Sequence, residues 1–265
     1  MLIGRCFIIW PLASAKSIYY GWMNASKDQS RQPQGRSLKG GGSSSEKAKR
    51  YLLAARECFE GLMNSLDILR QNRGSEAEKR GRLPESEVDL LRAAIVFTCA
   101  GLDASLKQLI RDTLPHVLNI SDDAQDEFVK FVERIIGPGG TLDPKRMARY
   151  LSSPDPRGLL IEDYIDDLTG SSLQSLEQIR RASKALGIAD EEEIRNYITE
   201  VRELFEARNH IAHELDLQHP EKRGDRARRS RKLQETKNIC EKGFELAGYL
   251  ISKVESVLEE RPMRI

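Results

Sequence analysis

The sequence predicts an all-α fold, an up-and-down helical bundle with extra short helices in its middle part. Apolar residues recur at steps of three and four positions through most of the chain. We find no segment in which apolar and polar residues alternate over the length of a strand. The composition, 39% hydrophobic and 31% charged residues, is typical of a water-soluble helical protein with an ample core.

Residues 1–45 are expected to form a disordered or poorly ordered extension and linker, ahead of a helical domain over residues 46–262. The stretch 29–45 is rich in Gly, Ser and Gln and has almost no large apolar residues, so burial cannot offset its ordering entropy. The apolar run at 6–12 is too short to span a bilayer and contains Pro11. We expect a poorly structured leader there rather than a secretory signal.

Two long helices open the predicted domain. In the first, apolar residues keep helical spacing from about residue 46 until Gly74 ends the run. Pro84 opens the second, whose segment VDLLRAAIVFTCAGLDASLKQLIRDTL is so apolar that we expect it to lie mostly buried. Gly101 and Ala104 in that segment would allow a neighbouring helix to approach closely.

Shorter helices follow in the middle of the chain. Ser121 is a candidate N-cap for a helix that Gly137 ends, and Asp143 before Pro144 marks the start of another. The segments PRGLLIEDYIDDL and SLQSLEQIRRASKALG come next, and Gly187 closes the second.

The last part of the chain is predicted to contain two further long helices. Asp190 with Glu193 resembles a capping box at the start of a helix that runs through residues 205–216. After Pro220 a basic stretch leads into the closing helix, LQETKNICEKGFELAGYLISKVESVLEE.

Charge and cysteine content exclude several classes of function. The formal net charge is +1, so no field of the whole molecule attracts nucleic acid or a membrane. The four cysteines (Cys6, Cys58, Cys99, Cys240) are too widely separated for a disulfide framework or a zinc site. We expect Cys58 and Cys99 to be buried free thiols. No other stretch reads as a membrane span, so we expect a cytoplasmic protein without a metal or cofactor.

The segment FEARNHIAHELD, residues 205–216, carries two of the four histidines. With roughly 100° per residue on a helix, Arg208 points towards the apolar side, and Asn209 and His213 share its boundary. His210 points among glutamates on the solvated side. Burying an arginine charge is costly without a partner. An internal carboxylate or an external anion such as a phosphate would each satisfy Arg208, and both interpretations stay open at this point.

The sequence RNHIAH resembles the R-x4-6-H motif of the HEPN superfamily, with an Asn directly after the arginine (Arg208, Asn209, His213). These are four- to five-helix up-and-down domains, many of them ribonucleases of toxin–antitoxin, abortive-infection and CRISPR-associated systems. The segment LLRAAIVFTCAGLDASLKQLI is similar to their earlier long helix, and SLQSLEQIRRASKALGI to the RiboL-PSP branch. The resemblance covers residues 46–258, and only the motif in it is specific.

The resemblance implies a metal-independent endoribonuclease that acts as a homodimer, with the motif helices of two copies at a shared cleft. His213 would exchange protons with the RNA 2′-hydroxyl and the leaving oxygen. Arg208 would bind the scissile phosphate, and Asn209 would contact the phosphate or fix the tautomer of His213. Asp103 is a candidate to orient these groups. The implied partners are RNA and an antitoxin or other defence protein.

A basic run follows the motif and is a candidate RNA-binding surface, since clustered cations bind phosphates without sequence preference. A solvated loop is the other interpretation. The run consists of Lys222, Arg223, Arg226, Arg228, Arg229, Arg231 and Lys232.

Two further functions remain compatible with the same residues. A non-catalytic HEPN module could bind RNA, nucleotide or a partner protein through the same motif. A purely structural helical protein would require Arg208 to be satisfied by an internal acidic residue.

Overall fold

The computed structural model describes residues 45–73, 83–137, 139–140, 143–188 and 192–260. The described part is all-α, as predicted, and its one extended pairing is an isolated bridge between Leu217 and Arg228. The helices in chain order are α1 (Glu46–Gln71), α2 (Glu85–Val117), α3 (Asp122–Ile136), α4 (Pro144–Ser152), α5 (Pro156–Thr169), α6 (Leu176–Ala185), α7 (Glu192–Glu200), α8 (Arg202–Glu214) and α9 (Leu233–Glu260).

The predicted N-terminal extension, Gly74 and Asp190 lie outside the described residues, apart from Ser45. Ser45 was assigned to the extension, but it is buried and its hydroxyl donates to Glu255 of α9. The helical domain therefore includes at least Ser45, which the sequence had placed in the extension.

An antiparallel hairpin of α1 and α2 forms the base of the core. A Cβ built on Gly101 would lie 2.0 Å from the Cβ of Ala55, so the glycine allows the close approach expected of it. Two turns of α1 away, the hydroxyl of Ser105 donates to the carbonyl oxygen of Ala48 at 2.8 Å. Arg73, at the far end of the hairpin, pairs with Glu87.

Helix α9, the last helix of the described part, packs against this hairpin. Phe244 of α9 meets Phe59 of α1 edge-on, with ring centroids 5.7 Å apart. Gly243 leaves room for Leu204 of α8, since a Cβ there would lie 2.6 Å from a Leu204 methyl group. The buried thiols of Cys99 and Cys240 lie in the same core.

The predicted helix starts in the middle of the chain are confirmed. The Ser121 hydroxyl accepts from the Ala124 N–H at 3.3 Å, and the Asp143 carboxylate accepts from the Arg146 N–H at 2.7 Å. Gly187 ends α6 with a φ of +68°.

The helix that carries the motif is shorter than predicted. One continuous helix was expected from about residue 190, but the chain breaks at Val201, whose ψ of 0° separates α7 from α8. Val201 is fully buried, and neither Gly nor Pro marks the break. Cys58, expected to be buried, is only half-buried.

Helix α2 is less buried than its apolar sequence suggested. It is long and apolar enough to cross a membrane, so the expectation that no such stretch exists is wrong. Half of its most apolar window is buried against the rest of the protein, and a core helix passes the same test. Phe97 of α2 is 50% exposed.

Substituting Gly101 with Ala should destabilise the protein by about 1–3 kcal/mol, because the new methyl group overlaps the side chain of Ala55. Urea unfolding monitored by circular dichroism measures this loss. Adding Ala55→Gly to the same chain should recover more stability than the two single effects predict. Simple additivity would contradict the proposed contact.

Candidate functional site

Helix α8 lies in the groove between α2 and α9, and its two halves differ in burial. Leu204, Phe205 and Ala207 in the first half are buried. Ala212 in the second half is exposed, and Leu215, directly after the helix, is 71% exposed. The end of the motif helix therefore projects from the core.

Arg208 is half-buried and has no acidic partner among the described residues. Its Nη1 donates to the Oδ1 of Asn209 at 3.0 Å, and none of the ion pairs of the described part involves it. Burial raises the pKa of the Cys99 thiol, Cys240 adds to the rise, and the charge of Arg208 opposes it, so the guanidinium is near enough to this thiol of α2 to interact with it electrostatically. No carboxylate in the described ranges therefore fills the role that a purely structural function would require.

The two histidines differ from expectation in their exposure. His213, predicted on the boundary, is exposed, whereas His210, predicted on the solvated side, is half-buried. Asn209 is exposed beside Arg208. Within the described ranges no hydrogen bond reaches the His213 side chain, so its imidazole is free to contact a ligand.

The structure places the carboxylate of Asp103, the candidate orienting group, in contact with residues other than Arg208 and His213. Its carboxylate accepts from the Leu173 N–H at 2.6 Å and lies 3.0 Å from the Nζ of Lys107. The amide of Gln174 donates to the carbonyl oxygen of Cys99 at 3.2 Å. Asp103 thus fixes the segment before α6 onto α2.

The end of α8 is held by a buried carboxylate. Leu215 and Asp216 both adopt left-handed backbone conformations, with φ of 50° and 61°. Such conformations are unfavourable for non-glycine residues and persist only where other contacts impose them. Asp216 is fully buried, and its carboxylate accepts from Arg92 Nε at 2.8 Å and from Arg231 Nη2 at 2.6 Å. We call these three residues the Asp216 clasp.

Arg92 extends the Asp216 clasp to the start of α2. It is almost fully buried, its Nη1 lies 2.6 Å from a Glu85 oxygen and 2.9 Å from an Asp89 oxygen, and its Nη2 donates to the carbonyl oxygen of Arg229 at 3.0 Å. Burial opposes the charge, but hydrogen bonds to Asp216, Asp89 and Glu85 outweigh it and raise the pKa of Arg92. The loop after α8 carries the basic run, and we call it the basic loop. It is therefore bound to α2 through side-chain and main-chain atoms.

Three arginines of the predicted RNA-binding run are held in ion pairs within the protein. Arg228 pairs with Asp89 at 2.7 Å, Arg229 pairs with Glu214 at 2.9 Å, and Arg231 belongs to the Asp216 clasp.

The remaining basic residues of the run stay accessible. Lys232 makes an exposed pair with Glu235, which is worth little. Lys222, Arg223 and Arg226 are exposed and form no ion pair with any residue that the structure describes.

Sequence reasoning missed Arg92 and Asp216. Arg92 interrupts an apolar run, which is a signal for a buried ion pair, but its partner lies 124 residues further along the chain. No spacing rule connects positions so far apart.

Comparison of the chain with protein-family models, with curated proteins and with solved structures gave no match. Fold and site together define an all-α protein in which a half-buried arginine near the projecting end of one helix has no ion pair with any described residue. In the described ranges no group of three or more His, Cys, Asp or Glu side chains is placed to hold a metal ion.

Replacing Asp216 with Asn should cost about 3–5 kcal/mol at neutral pH, because it leaves the charges of Arg92 and Arg231 without their carboxylate. Burial opposes ionisation of Asp216, but hydrogen bonds from Arg231 and Arg92 hold its pKa below the ordinary value. Its contribution is therefore present above the ordinary aspartate pKa and is lost as pH falls through the lower, folded pKa.

Urea unfolding of both proteins between pH 7 and pH 3 tests this assignment. The difference in unfolding free energy between wild type and Asp216→Asn should shrink on acidification. A difference that stays constant across this range would show that the carboxylate charge is not what holds the loop.

Proposed function

We propose that this protein is a metal-independent endoribonuclease of HEPN type, which cleaves RNA at a site formed by Arg208, Asn209 and His213 in a homodimer. The observation that carries the proposal is that Arg208 is half-buried and has no carboxylate partner among the residues that the structure describes. Partial burial of an unpaired guanidinium is costly, and a bound phosphate would remove that cost through two parallel hydrogen bonds.

The reaction uses the RNA's own 2′-hydroxyl as nucleophile. One His213 takes the hydroxyl proton while the 2′-oxygen forms a bond to phosphorus. The bond from phosphorus to the 5′-oxygen breaks, and His213 of the second copy gives a proton to that leaving oxygen. The products are a 2′,3′-cyclic phosphate and a 5′-hydroxyl end.

Arg208 stabilises the negative charge that builds up on the phosphoryl oxygens in the transition state. Asn209 accepts a hydrogen bond from the guanidinium through its Oδ1, which limits the directions in which Arg208 can point. Its NH₂ group remains available as a donor to a phosphate oxygen.

A second copy of the chain is part of the proposal because one copy supplies a single imidazole. His213 lies exposed near the projecting end of α8, where another molecule can reach it. The proposed setting is a toxin–antitoxin or phage-defence system, in which a partner protein covers the same site to restrain it.

A non-catalytic RNA-binding module is the second candidate, and the exposure of His213 favours it. A general base is ordinarily oriented by a further group, and no described residue hydrogen-bonds to this imidazole. The binding role needs only Arg208 and the accessible cations of the basic loop.

Arg208→Ala and His213→Ala should each slow cleavage of labelled RNA by about 100-fold or more, because each removes a group that acts in the transition state. His210→Ala should change the rate little. Gel analysis of single-turnover cleavage measures the rates, and end-group analysis should find 2′,3′-cyclic phosphates.

A chelator should leave this cleavage unchanged, and a DNA strand of the same sequence should stay intact because it lacks the nucleophile. If the wild type binds RNA but does not cleave it, the binding module would be supported instead. An equal loss in His210→Ala would contradict the assignment of His213.

The accessible cations of the basic loop should set the salt dependence of RNA binding. Replacing Lys222, Arg223 and Arg226 together with Gln should reduce the slope of log K against log salt by about 2, since each phosphate contact on a single strand contributes about 0.7. Filter binding at several salt concentrations measures the slope. Arg228→Gln should lower the free energy of unfolding and change this slope little, because Arg228 pairs with Asp89.

A further inference from the structure

The outward side of α1 carries an uncharged stripe. Tyr51, Ala54, Cys58, Gly61, Ser65 and Ile68 follow one another at alternating steps of three and four. This spacing places them along one face of the helix. All of them are exposed or half-buried, and Tyr51 and Ile68 are large apolar side chains at 50% and 58% exposure.

Helix α2 carries a second stripe with the same spacing. Leu90, Ala93, Phe97, Ala100 and Ala104 are separated by steps of three, four, three and four, and all are exposed or half-buried. This stripe contains most of the apolar residues of α2 that the core does not cover.

The two stripes lie side by side on the hairpin. Ala55 meets Gly101 and Ala48 meets Ser105, which fixes the antiparallel register of α1 against α2. In that register Cys58 of α1 comes level with Phe97 of α2. We call the surface made by both stripes the hairpin face.

The hairpin face points away from α9. Arg56 marks the α9 side of α1, since it is buried, pairs with Glu241 and lies 4.9 Å from the ring centroid of Phe244. With roughly 100° per residue, Ala54 and Cys58 point about 160° away from Arg56. No described element packs over this side, so the face is open to solvent.

We propose that a second copy of this chain docks on the hairpin face, so that two hairpins pack against each other about a twofold axis. In such an interface a residue near the axis meets its own copy, and any charge there would face the same charge. The hairpin face has no charged residue among its eleven positions, from Tyr51 to Ile68 and from Leu90 to Ala104. A surface selected for a charged partner would present the complementary charge instead.

Size and shape also fit a second copy. The stripe on α1 spans 17 residue steps, roughly 25 Å at 1.5 Å per residue, and two helices of about 10 Å width give roughly 500 Å² per copy. Two copies would bury about 1,000 Å², the lower bound of a specific interface. Gly61, Ala93 and Ala100 leave shallow positions that side chains such as Phe97 of the other copy can fill.

This inference goes beyond the proposed function, because it does not depend on the motif helices. With roughly 100° per residue, Ala100 points about 100° and Phe97 about 160° away from Cys99, whose thiol interacts with the charge of Arg208, so the hairpin face lies on the side of α2 away from the motif helix. Docking there leaves both motif helices outside the interface, and the shared cleft of the proposed function would form through a separate contact.

A charge placed in the hairpin face tests the proposal. Ala100→Glu puts like charges into the interface without disturbing the core, since Ala100 is exposed, and should raise the dimer dissociation constant by at least about 100-fold. Ala148→Glu, on the exposed side of α4, is the matched control and should leave the dimer intact. Light scattering of the full chain between 1 and about 100 µM measures the assembly.

The native Cys58 gives a second readout on the same surface. In a Cys6→Ser background, a maleimide should label Cys58 slowly in the dimer and fast in Ala100→Glu, while Cys99 and Cys240 stay unreactive in the core. Burial raises the pKa of the Cys240 thiol to about 12, so it contributes no background labelling.

A wild type that stays monomeric, or a dimer that Ala100→Glu does not weaken, would overturn the inference. In the second case the proposed function stands with its copies joined elsewhere. A dimer that depends on Ala100 but does not cleave RNA would sustain the inference and reject the nuclease. Protection of Cys58 by an unrelated protein while this chain remains monomeric counts against a second copy.

Discussion

The buried contact of Arg92 and Arg231 with Asp216 determines where the candidate site lies. It joins the beginning of α2 to the residues just after α8, across 124 positions of sequence. Because the carboxylate is fully buried, its partners must stay in place or leave an uncompensated charge in the core. The left-handed conformations of Leu215 and Asp216 are held by the same contact, so the direction in which α8 ends follows from it.

Arg208 differs from Arg56 and Arg92, which are buried and have acidic partners in distant parts of the chain. Among the described residues, Arg208 has only the neutral oxygen of Asn209 as a side-chain partner. This contrast is the observation on which the proposed phosphate site at Arg208 rests.

Local features of the sequence predicted most of the fold, and long-range contacts account for what it missed. Helix starts at Ser121 and Asp143 depend on a side chain and an N–H three residues apart, which a sequence displays directly. The break at Val201 has no Gly or Pro to mark it. Of the candidate site, the unpaired Arg208 was among the anticipated possibilities, whereas the exposures of His210 and His213 depend on how α2 and α9 cover α8.

The ion pairs of the basic loop have a mechanical consequence. Arg228 and Arg229 pair with Asp89 and Glu214 at the base of the basic loop, and these ion pairs restrict the movement of its tip. A polyanion that reaches the tip at Lys222 and Arg223 meets cations whose supporting chain is already ordered. Binding of the polyanion then costs little conformational entropy of the loop. The ion pairs at the base of the loop also set the distance between the cations at its tip and the guanidinium of Arg208.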